Sequence, residues 1–355
     1  MLAPGSTIGI LGSGQLGRML GMAAAQLGYR CHIFAPGQPG VAAETCAQFT
    51  GAAYHDREAL ARFGAACDVV TYEFENVPVA PLTALGDTPL RSNARALEIA
   101  QDRLMEKRFV ADLGGATAPY AVVDGSADLE AAMRRIGTPG ILKTQREGYD
   151  GKGQWRIDTG AAAERLSLPA KPLIYEGLVR FAAEFSVILV RGTDGDIRFW
   201  DSPRNEHADG ILVRSSVPVS YAMAGQVATA RELGSAVAQA LDYTGVLTLE
   251  FFATDAGPVF NEMAPRVHNS GHWTIEGART SQFENHIRAI CGLPLGDTTT
   301  IVPAVQMTNL VGEQANAWAS VLADPANHLH LYGKTMRDGR KMGHVTRLVL
   351  EEPAA

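Results

Sequence analysis

Ile141-Leu-Lys-Thr-Gln-Arg-Glu-Gly-Tyr-Asp-Gly-Lys-Gly-Gln-Trp-Arg-Ile157 is the stretch around which the rest of the chain is organised. A short apolar run ends on Lys143, three glycines and Lys152 follow, and the last residues alternate like a strand. Glycines let a backbone approach a ligand, and their N–H groups can point at phosphate oxygens. The order of glycines and lysines is not that of a Walker P-loop. The pattern therefore predicts a hairpin flap that covers a polyphosphate; a plain glycine-rich hairpin tip is the alternative.

The overall charge of the chain limits its partners. Its 355 residues carry a formal net charge of −7 and are 46% hydrophobic, which is typical of an ordinary globular protein. Such an acidic balance argues against general affinity for nucleic acid or for an anionic membrane. An anionic small molecule must therefore be met by a local cluster of cations, and a chain of this length has room for two or three domains.

Cysteine usage and hydropathy bear on the cellular compartment. Cys31, Cys46, Cys67 and Cys291 are scattered without a CxxC pair, which favours reduced structural thiols over zinc or a disulfide. No run approaches the roughly 18 apolar residues of a membrane span, and the N-terminus lacks the pattern of a secretory signal. We therefore expect a cytoplasmic protein that does not associate with membranes.

The N-terminal residues have the pattern of a dinucleotide fold. The strand Thr7 to Leu11 runs into Gly-Ser-Gly-Gln-Leu-Gly17, then a helix and a second strand that ends near Phe34. NAD binding also needs an acidic residue at the end of that second strand, where Ala35 stands. The dinucleotide interpretation loses this anchor, while a turn whose N–H groups meet another phosphate stays open. Glu73, which follows the next strand, is expected to lie beside the turn and to contact a ligand.

The middle of the chain is predicted to alternate helices and strands. Residues 93–113 have a helical pattern with one interruption, and strands are predicted at 173–179 and 184–190. The first of these strands carries Glu176, which is suitably placed to reach an adenine amine or a ribose. Residues 204–211 are polar and are predicted to form a loop.

Two acidic residues stand in a second predicted hairpin. Val246–Phe252 and Pro258–Met263 are predicted strands joined by a three-residue loop that ends with Gly257. In that register Glu250 lies directly opposite Glu262, and two facing carboxylates destabilise a sheet unless a cation lies between them. Mg²⁺ prefers one or two carboxylates together with substrate phosphates. A divalent-metal site is therefore predicted; a register shifted by one residue, which would put the two on opposite faces, is the alternative.

Cationic and polar residues follow the acidic hairpin. Arg266, His268 and His272 lie within a few residues of one another, together with several hydroxyl and amide donors. Near the end of the chain a hairpin is predicted to turn at an Asp-Gly pair and to present Arg340 and Lys341 just after the turn. A lone histidine is usually structural, but this density of anion-binding residue types directly after the acidic strand favours a functional role.

In these motifs the chain resembles the ATP-grasp superfamily, and within it the N5-carboxyaminoimidazole ribonucleotide synthetases of purine biosynthesis. The resemblance rests on five stretches in the expected order, which span nearly the whole chain: ILGSGQLGRML, YEFENVP, GYDGKGQW, FNEMAPRVHNSGHWT and GRKMGH. The glycine motif alone is weak, whereas APRVHNSGHWT is highly specific. The resemblance implies a mixed α/β and α+β ATP-grasp fold, with a Rossmann-like domain at 1–105, the ATP-grasp domain at 106–295, its flap subdomain at about 118–180, and a small C-terminal domain at 296–355.

The resemblance also implies which residues bind each ligand. Those implied for ATP are Arg103, Lys143, Gly148, Tyr149, Asp150, Gly151, Lys152, Gly153, Gln154, Glu176, Gly177, Leu178, Val179, Glu184, His207, Asn261 and Glu262. Those implied for Mg²⁺ are Glu250 and Glu262. Those implied for the ribonucleotide are Gln15, Leu16, Glu73, His268, Asn269, Ser270, His272, Arg340 and Lys341. Those implied for catalysis are Tyr149, Asp150, Lys152, Arg266 and Lys341.

Two residues depart from the family pattern. Lys152 stands where arginine is frequent in such loops, and Ala264 stands where many relatives have a third metal-ligating asparagine. Metal coordination by this chain would therefore rely on two glutamates, the phosphates and water.

The activity that the resemblance implies is ATP-dependent ligation. ATP would phosphorylate bicarbonate to carboxyphosphate, and the exocyclic amine of 5-aminoimidazole ribonucleotide would capture the activated carbon, leaving ADP and phosphate. A homodimer with small-molecule substrates is also implied. Three alternatives stay open: a relative that acts on another amine, such as a formate-dependent glycinamide ribonucleotide transformylase; an NAD(P)-dependent oxidoreductase built on the N-terminal turn; and a noncatalytic nucleotide-binding regulator.

Overall fold

The computed structural model describes residues 1–148, 153–164 and 166–350. The helices in these residues are α1 Gln15–Gln26, α2 Arg57–Ala65, α3 Ala94–Ala100, α4 Arg103–Asp112, α5 Ser126–Ile136, α6 Gly160–Glu164, α7 Ala224–Ala240, α8 Thr274–Gly277, α9 Gln282–Ile290 and α10 Trp318–Leu322. The strands are β1 Thr7–Leu11, β2 Arg30–Ala35, β3 Gln48–Gly51, β4 Val69–Tyr72, β5 Tyr120–Val123, β6 Gly140–Thr144, β7 Gln154–Ile157, β8 Leu173–Gly177, β9 Ala183–Arg191, β10 Ile197–Phe199, β11 Arg204–Ala208, β12 Ile211–Val217, β13 Gly245–Thr254, β14 Gly257–Ala264, β15 Ala304–Val311, β16 Asn327–Leu331 and β17 Lys341–Val349.

A parallel sheet with the strand order β3-β2-β1-β4 forms the N-terminal part of the molecule. Its central strands are buried apolar runs, as expected for a parallel sheet that is covered on both faces. Asp56 caps α2 by accepting a hydrogen bond from the N–H of Ala59. The predicted βαβ unit is confirmed, and it brings Gly14, at the start of α1, next to Glu73, just after β4.

A large antiparallel sheet forms the body of the molecule. Within the described residues its strand order is β14-β13-β9-β11-β12-β15-β17-β16, and β10 pairs with β9. Strands β15 to β17, which belong to the predicted C-terminal domain, join this sheet because β15 pairs with β12. The large sheet therefore contains strands from both sides of the boundary predicted at residue 295. The predicted domain boundaries stay a prediction.

The prediction that residues 204–211 form a loop is wrong. Strands β11 and β12 form a hairpin there, and Asp209 and Gly210 make its two-residue turn with φ of +52° and +76°. Strand β11 reads as polar because Asn205 is its only buried residue, while the other side chains are exposed. The Asp-Gly pair is a sequence signal for a hairpin turn, but the polar composition of the segment favoured a loop.

A small antiparallel sheet, with the strand order β5-β8-β6-β7, carries the glycine-rich stretch. Strands β6 and β7 pair with Lys143 opposite Gln154, so the predicted hairpin flap is confirmed as far as the structure describes it. Tyr149, Asp150, Gly151 and Lys152, four of the residues predicted for ATP, lie outside the described residues.

The hydrophobic core of the large sheet lies under α7. Val227, Ala230 and Val237 on this helix pack with Leu189 of β9 and Leu249 of β13. The amphipathic pattern of α7 therefore has a structural role, as its apolar stripe indicates. At other positions of these two strands, β9 carries Glu184 and β13 carries Glu250.

Two observations concern the chain as a whole. All four cysteines are free thiols, and two of them, Cys31 and Cys291, are buried. Within residues 1–148, 153–164 and 166–350, no helix combines the length and the apolar character that crossing a bilayer requires.

Candidate active site

A cavity of about 180 Å³ opens beside α4, where the small and the large sheet approach each other. It is lined by Lys107, Ala118, Ile141, Lys143, Glu176, Gly177, Leu178, Val179, Phe181, Glu184, Phe252, Phe260 and Asn261. The lining combines apolar and aromatic side chains with two lysines and two glutamates, as expected for a flat base that carries anionic groups. The predicted ATP residues that the structure brings to this cavity are Lys143, Glu176, Gly177, Leu178, Val179, Glu184 and Asn261.

Three buried charges meet in one wall of the cavity. Nζ of Lys143 lies 2.9 Å from Oε2 of Glu176, and Nζ of Lys107 lies 3.3 Å from the same oxygen. Burial opposes the charge of Glu176, but the two lysines lower the pKa of this carboxyl overall. Burial likewise lowers the pKa of Lys143, against the attraction of Glu176. The cluster therefore carries a net positive charge next to an apolar pocket.

The predicted pairing of Glu250 with Glu262 is confirmed, although the loop that sets it differs from the prediction. The turn between β13 and β14 has two residues, so Thr254 faces Gly257. An irregularity next to Glu250 then inserts one extra residue, Asn261, in β14 and restores the predicted register. The two acidic side chains consequently stand opposite each other at one end of the hairpin.

Cations and histidines surround this acidic pair. Nη1 of Arg103 lies 3.5 Å from Glu262, and Nε2 of His268 lies 3.5 Å from Glu250. Burial, followed by the charge of Glu262, raises the pKa of Glu250 to about 7. His207 contacts Glu184 on the neighbouring strand; burial opposes its charge, but Glu184 and the acidic pair raise its pKa overall.

The donor set at the acidic pair fits a hard divalent cation. Two carboxylates that face each other at close range repel, and the raised pKa of Glu250 reports that repulsion together with burial. Within the part of the chain that the structure describes, no group of three or more His, Cys, Asp or Glu side chains is arranged as a complete metal site. The arrangement matches Mg²⁺, which is held by one or two carboxylates and takes its other ligands from phosphates and water.

Helix α4 connects both parts of the site. Asp102 caps it by accepting from the N–H of Leu104 and Met105, and the same carboxylate binds the side chain of Gln145, just after β6. Arg103 reaches the acidic pair, and its Nη2 lies 3.5 Å from the carbonyl of Gly148. The predicted interruption before α4 is thus the helix cap that holds the base of the flap.

Glu106, on the same face of α4, accepts a hydrogen bond of 2.7 Å from the N–H of Met263, the residue after Glu262. Its side chain is fully buried, and burial raises the pKa of Glu106 to about 8. The carboxyl is therefore neutral near pH 7, and it fixes the backbone beside one member of the acidic pair.

We expect Glu106→Gln to remove a pH dependence of stability. The native protein retains the proton up to a pKa of about 8, whereas the unfolded chain releases it near the ordinary value of 4.5. Stability of the wild type therefore falls as the pH rises from about 5 to 8, and relative to it the variant should gain about 1 kcal/mol per pH unit. Urea unfolding at pH 5.5, 7 and 8.5 measures this difference. Glu58→Gln, at an exposed position, is the control, and parallel curves for wild type and Glu106→Gln would contradict the assignment.

The N-terminal glycine turn holds a carboxylate of the protein itself. Glu73 accepts hydrogen bonds from the N–H groups of Gly14, at 2.7 Å, and Gly17, at 3.4 Å. A Cβ on Gly12, whose φ is +117°, would lie 2.5 Å from Oε1 of Glu73. The glycines of the GxGxxG pattern therefore make room for a buried glutamate. The interpretation left open above, in which these N–H groups meet a ligand phosphate, is disfavoured together with a dinucleotide pyrophosphate, because the carboxylate of Glu73 already accepts from them.

We expect Gly12→Ala to destabilise the protein by about 3 kcal/mol, because strain at a positive φ adds to the clash with Glu73. Gly37→Ala is the matched control: its φ is +81°, but a Cβ there would meet nothing within 4 Å, so only the strain of about 1 kcal/mol remains. Urea unfolding compares the two. In a Glu73→Ala background the excess cost of Gly12→Ala should shrink; an equal cost for both glycines would show that Glu73 does not fill the turn.

Arg266 lies just after β14, and its guanidinium is held by one ion pair and one hydrogen bond. Its Nη2 lies 2.8 Å from Oε1 of Glu75, and its Nη1 donates to the carbonyl of Val267 at 2.9 Å. Arg266 also lowers the pKa of Glu73, although burial of that carboxyl outweighs this effect and raises the pKa overall. The guanidinium thus stands between the N-terminal loops and the acidic hairpin.

His272 and Ser270, predicted to contact the ribonucleotide, are both fully buried, and their roles stay a prediction. The His272 ring packs 4.8 Å from that of His344, and its Nδ1 lies 3.3 Å from Nε2 of Gln282. Asn269 is also buried and exchanges hydrogen bonds with Asn309. These residues brace the segment after β14, in which Arg266 and His268 are the partly exposed members.

The remaining predicted residues differ in how accessible they are. Gln15, Arg340 and Lys341 are partly exposed, whereas Leu16 is buried in the N-terminal core. His268 is held by Gln282, which donates to its carbonyl at 2.7 Å and accepts from its N–H at 2.9 Å. Burial lowers the pKa of His268 well below its ordinary value, and so does the charge of Arg266.

Sequence reasoning missed several residues that shape the site: Asp102, Glu106, Lys107 and Gln282. The spacing of Arg103 and Lys107, four residues apart on α4, was a usable signal, because such residues share one face of a helix. Glu106 and Gln282 gave no such signal, since their partners are backbone groups that are distant in the sequence.

Three family models match the chain in succession. The ribonucleotide synthetase preATP-grasp domain matches residues 5–101, the ATP-grasp domain residues 108–283, and the phosphoribosylaminoimidazole carboxylase C-terminal domain residues 305–353. Together they cover most of the chain, and the first half of α4, with Arg103 and Lys107, lies between the first two matches.

Relatives and solved structures agree with these matches. The chain is 48% identical over 354 residues to the N5-carboxyaminoimidazole ribonucleotide synthase of Brucella melitensis, covering 98% of this chain and 97% of that protein. It is 44% identical to the same enzyme of Pseudomonas aeruginosa, covering 96% and 93%. The crystal structure of the synthetase from Thermus thermophilus superimposes with a TM-score of 0.91 at 46% identity, covering 97% and 94%. The Aspergillus clavatus enzyme in complex with ADP and 5-aminoimidazole ribonucleotide superimposes with a TM-score of 0.89 at 28% identity, covering 98% and 94%.

Proposed function

Because the chain belongs to the N5-carboxyaminoimidazole ribonucleotide synthase family of ATP-grasp enzymes, it carboxylates 5-aminoimidazole ribonucleotide at the expense of ATP in purine biosynthesis, and we propose that the cavity beside α4 and the facing glutamates form its active site. The observation that carries this assignment is the pairing of Glu250 with Glu262. Arg103 lies 3.5 Å from Glu262, and His268 lies 3.5 Å from Glu250. Acidic, cationic and apolar groups thereby converge at one place between two sheets.

ATP binds, in this proposal, with its base in the cavity and its phosphates directed toward the acidic pair. The apolar walls, among them Ile141, Phe252 and Phe260, exclude water from the base. Lys143 and Arg103 supply positive charge for the phosphates, and the flap between β6 and β7 closes over them. Phosphoryl transfer depends mainly on such positioning and charge neutralisation, and exclusion of water protects a hydrolysable intermediate.

Glu250 and Glu262 would hold Mg²⁺, with His207 and Glu184 beside them. When bound, the ion neutralises charge that develops on the transferred phosphoryl group. His268 is neutral, since burial lowers its pKa, and it contacts Glu250 without adding a competing cation. Arg103 keeps the other carboxylate oriented from α4.

Bicarbonate is the co-substrate that this chemistry requires. Its hydroxide is a poor leaving group, so attack of a bicarbonate oxygen on the γ-phosphate makes carboxyphosphate and releases ADP. The exocyclic amine of the ribonucleotide then takes the carboxyl carbon, and inorganic phosphate leaves. Arg266, Arg340 and Lys341 are the described cations proposed for the phosphate groups at this end, while Tyr149, Asp150 and Lys152 stay proposed from the family resemblance alone.

Release of phosphate tests the proposed function. We expect ADP formation to require both bicarbonate and 5-aminoimidazole ribonucleotide, and to be unaffected by formate or glycinamide ribonucleotide. Turnover that depends on formate would instead indicate the transformylase-like alternative. Binding of NADH would support the oxidoreductase alternative, against which the buried carboxylate of Glu73 argues.

We also propose, from the family resemblance alone, that the enzyme is a homodimer and acts in the cytoplasm. Sedimentation equilibrium at micromolar concentration tests the oligomeric state, for which a single species of twice the mass of one chain is expected.

A further inference from the structure

Lys107 is a buried lysine that has no part in the reaction as proposed so far. Its side chain is 1% exposed, against 8% for Lys143, yet both amino groups approach the same oxygen of Glu176. The other oxygen of Glu176 and Nζ of Lys107 have no hydrogen-bond partner among the described residues. Two cations that share one carboxylate oxygen leave an excess of positive charge in a place that is shielded from water, which is costly unless an anion arrives.

The positions of the two lysines give them different tasks. Lys143 is the more exposed of the pair and stands at the end of β6, one residue before Thr144, whose N–H donates to the carbonyl of Gly153 in the flap. An incoming phosphate under the flap therefore meets Lys143 first. Lys107 approaches Glu176 from helix α4 and is almost completely covered.

Helix α4 gives Lys107 a rigid base. Arg103, one turn earlier, contacts Glu262, and Glu106 accepts from the backbone of Met263. Both contacts tie α4 to β14, so Lys107 has little freedom to follow a ligand. Lys143 projects from β6, which pairs with both β7 and β8, and its long side chain is the amine that can change partner.

We propose that Lys107 is a positioning residue of the ATP site, which keeps Glu176 paired when Lys143 leaves this carboxylate for a phosphate of the nucleotide. The inference rests on the proposed ATP site. Without Lys107, Lys143 would be the one described cation within ion-pair distance of Glu176. Binding a phosphate would then leave a buried carboxylate unpaired, which is strongly unfavourable.

A double-mutant cycle with Glu176 tests this coupling. Isothermal titration with ADP is performed on the full chain as wild type, Lys107→Met, Glu176→Gln and the double variant. We expect Lys107→Met to weaken ADP binding by 10- to 100-fold in the wild-type background and by less than threefold in the Glu176→Gln background, since a neutral amide no longer retains Lys143. The KM for the ribonucleotide substrate should stay within threefold of the wild-type value.

The proposal would be overturned if Lys107→Met weakened ADP binding by the same factor in the wild-type and the Glu176→Gln backgrounds. Lys107 would then act on the nucleotide directly or only on folding. Arg108→Met, which removes a cation from the exposed side of the same helix, is the matched control and should bind ADP normally. If Lys107→Met does not fold, Lys107→Gln replaces it in the cycle. We then expect ADP binding to weaken by more than threefold in the wild-type background alone. Lys143→Met distinguishes failure of the proposed ATP site from failure of the positioning role. If Lys143→Met binds ADP normally, the ATP site itself is contradicted. If Lys143→Met loses ADP binding while Lys107→Met binds ADP normally, only the positioning role is contradicted.

Discussion

Glu250→Gln and Glu262→Gln are each expected to lower kcat for ADP formation by about a thousandfold or more. The amide keeps the shape of the side chain but removes the charge with which the facing pair would hold a divalent cation against the phosphates. Initial rates at saturating ATP, bicarbonate and ribonucleotide, over a range of Mg²⁺ concentrations, measure the effect. Because the carboxylates face each other directly, neither should compensate for the other.

A control at matched burial is available for this experiment. The side chain of Glu276 is 12% exposed, close to the 13% of Glu250, and its carboxylate binds His330 outside the cavity. Glu276→Gln should therefore retain nearly normal turnover. Near-normal turnover of either Glu250→Gln or Glu262→Gln at saturating Mg²⁺ would refute the metal assignment.

Stability separates loss of chemistry from loss of folding in these variants. Repulsion from Glu262 contributes, after burial, to the raised pKa of Glu250. Glu250→Gln should therefore leave the metal-free protein at least as stable as the wild type near pH 8, while catalysis is lost. Such an exchange of stability for activity is typical of a strained functional site, and thermal unfolding without Mg²⁺ measures it.

The acidic pair was predictable from the sequence, but only because two departures from the predicted hairpin cancel. A three-residue loop without a bulge and a two-residue loop with Asn261 inserted both place Glu250 opposite Glu262. The alternation of apolar residues favours one face of the sheet over the other, so a pairing slip by one residue would put the two carboxylates on opposite faces and turn one of them toward the core. Burial of the hydrophobic side chains selects the register, and the turn adapts to it.

The contacts around α4 were beyond sequence reasoning for a different reason. Lys107 meets Glu176 from β8, and Glu106 meets the backbone of Met263. These partners come together only when the small and large sheets are packed on the same helix, and no local pattern encodes that packing. The same holds for His272, whose anion-binding chemistry suggested a ligand contact, whereas the fold covers it with the C-terminal hairpin.

Glu73 shows that the sequence can predict the location of a side chain without identifying the groups that it contacts in the fold. The carboxyl ends of β1 and β4 do meet, as expected for neighbouring parallel strands. A glycine turn at a helix N-terminus attracts any anion, and the sequence contained one of its own at that place. The pattern predicted an anion site, and the identity of the anion depended on the side-chain direction of Glu73.

Arg266→Met is expected to lower kcat/KM for the ribonucleotide substrate by about two orders of magnitude, with the KM for ATP within threefold of the wild-type value. The guanidinium pairs with Glu75 and acts on Glu73, both in the loop after β4, whereas Lys143 pairs with Glu176 in the small sheet. A planar, forked cation can keep its bond to Glu75 with one nitrogen and donate to a phosphate with the others. Steady-state kinetics with each substrate varied in turn separates the two KM values.

Lysine and glutamine variants make the geometric part of this prediction testable. Arg266→Lys retains the charge but lacks the fork, so it should recover little of the lost kcat/KM. Glu75→Gln can still accept from Arg266 and should cost less than tenfold, because it loosens the guanidinium without removing it. Arg288→Met, which breaks an ion pair with Glu284 on α9, controls for the loss of a paired arginine elsewhere. If the KM for ATP rose in parallel in Arg266→Met, Arg266 would be assigned to the nucleotide instead of the ribonucleotide. The phosphate of the ribonucleotide would then be bound by Arg340 and Lys341.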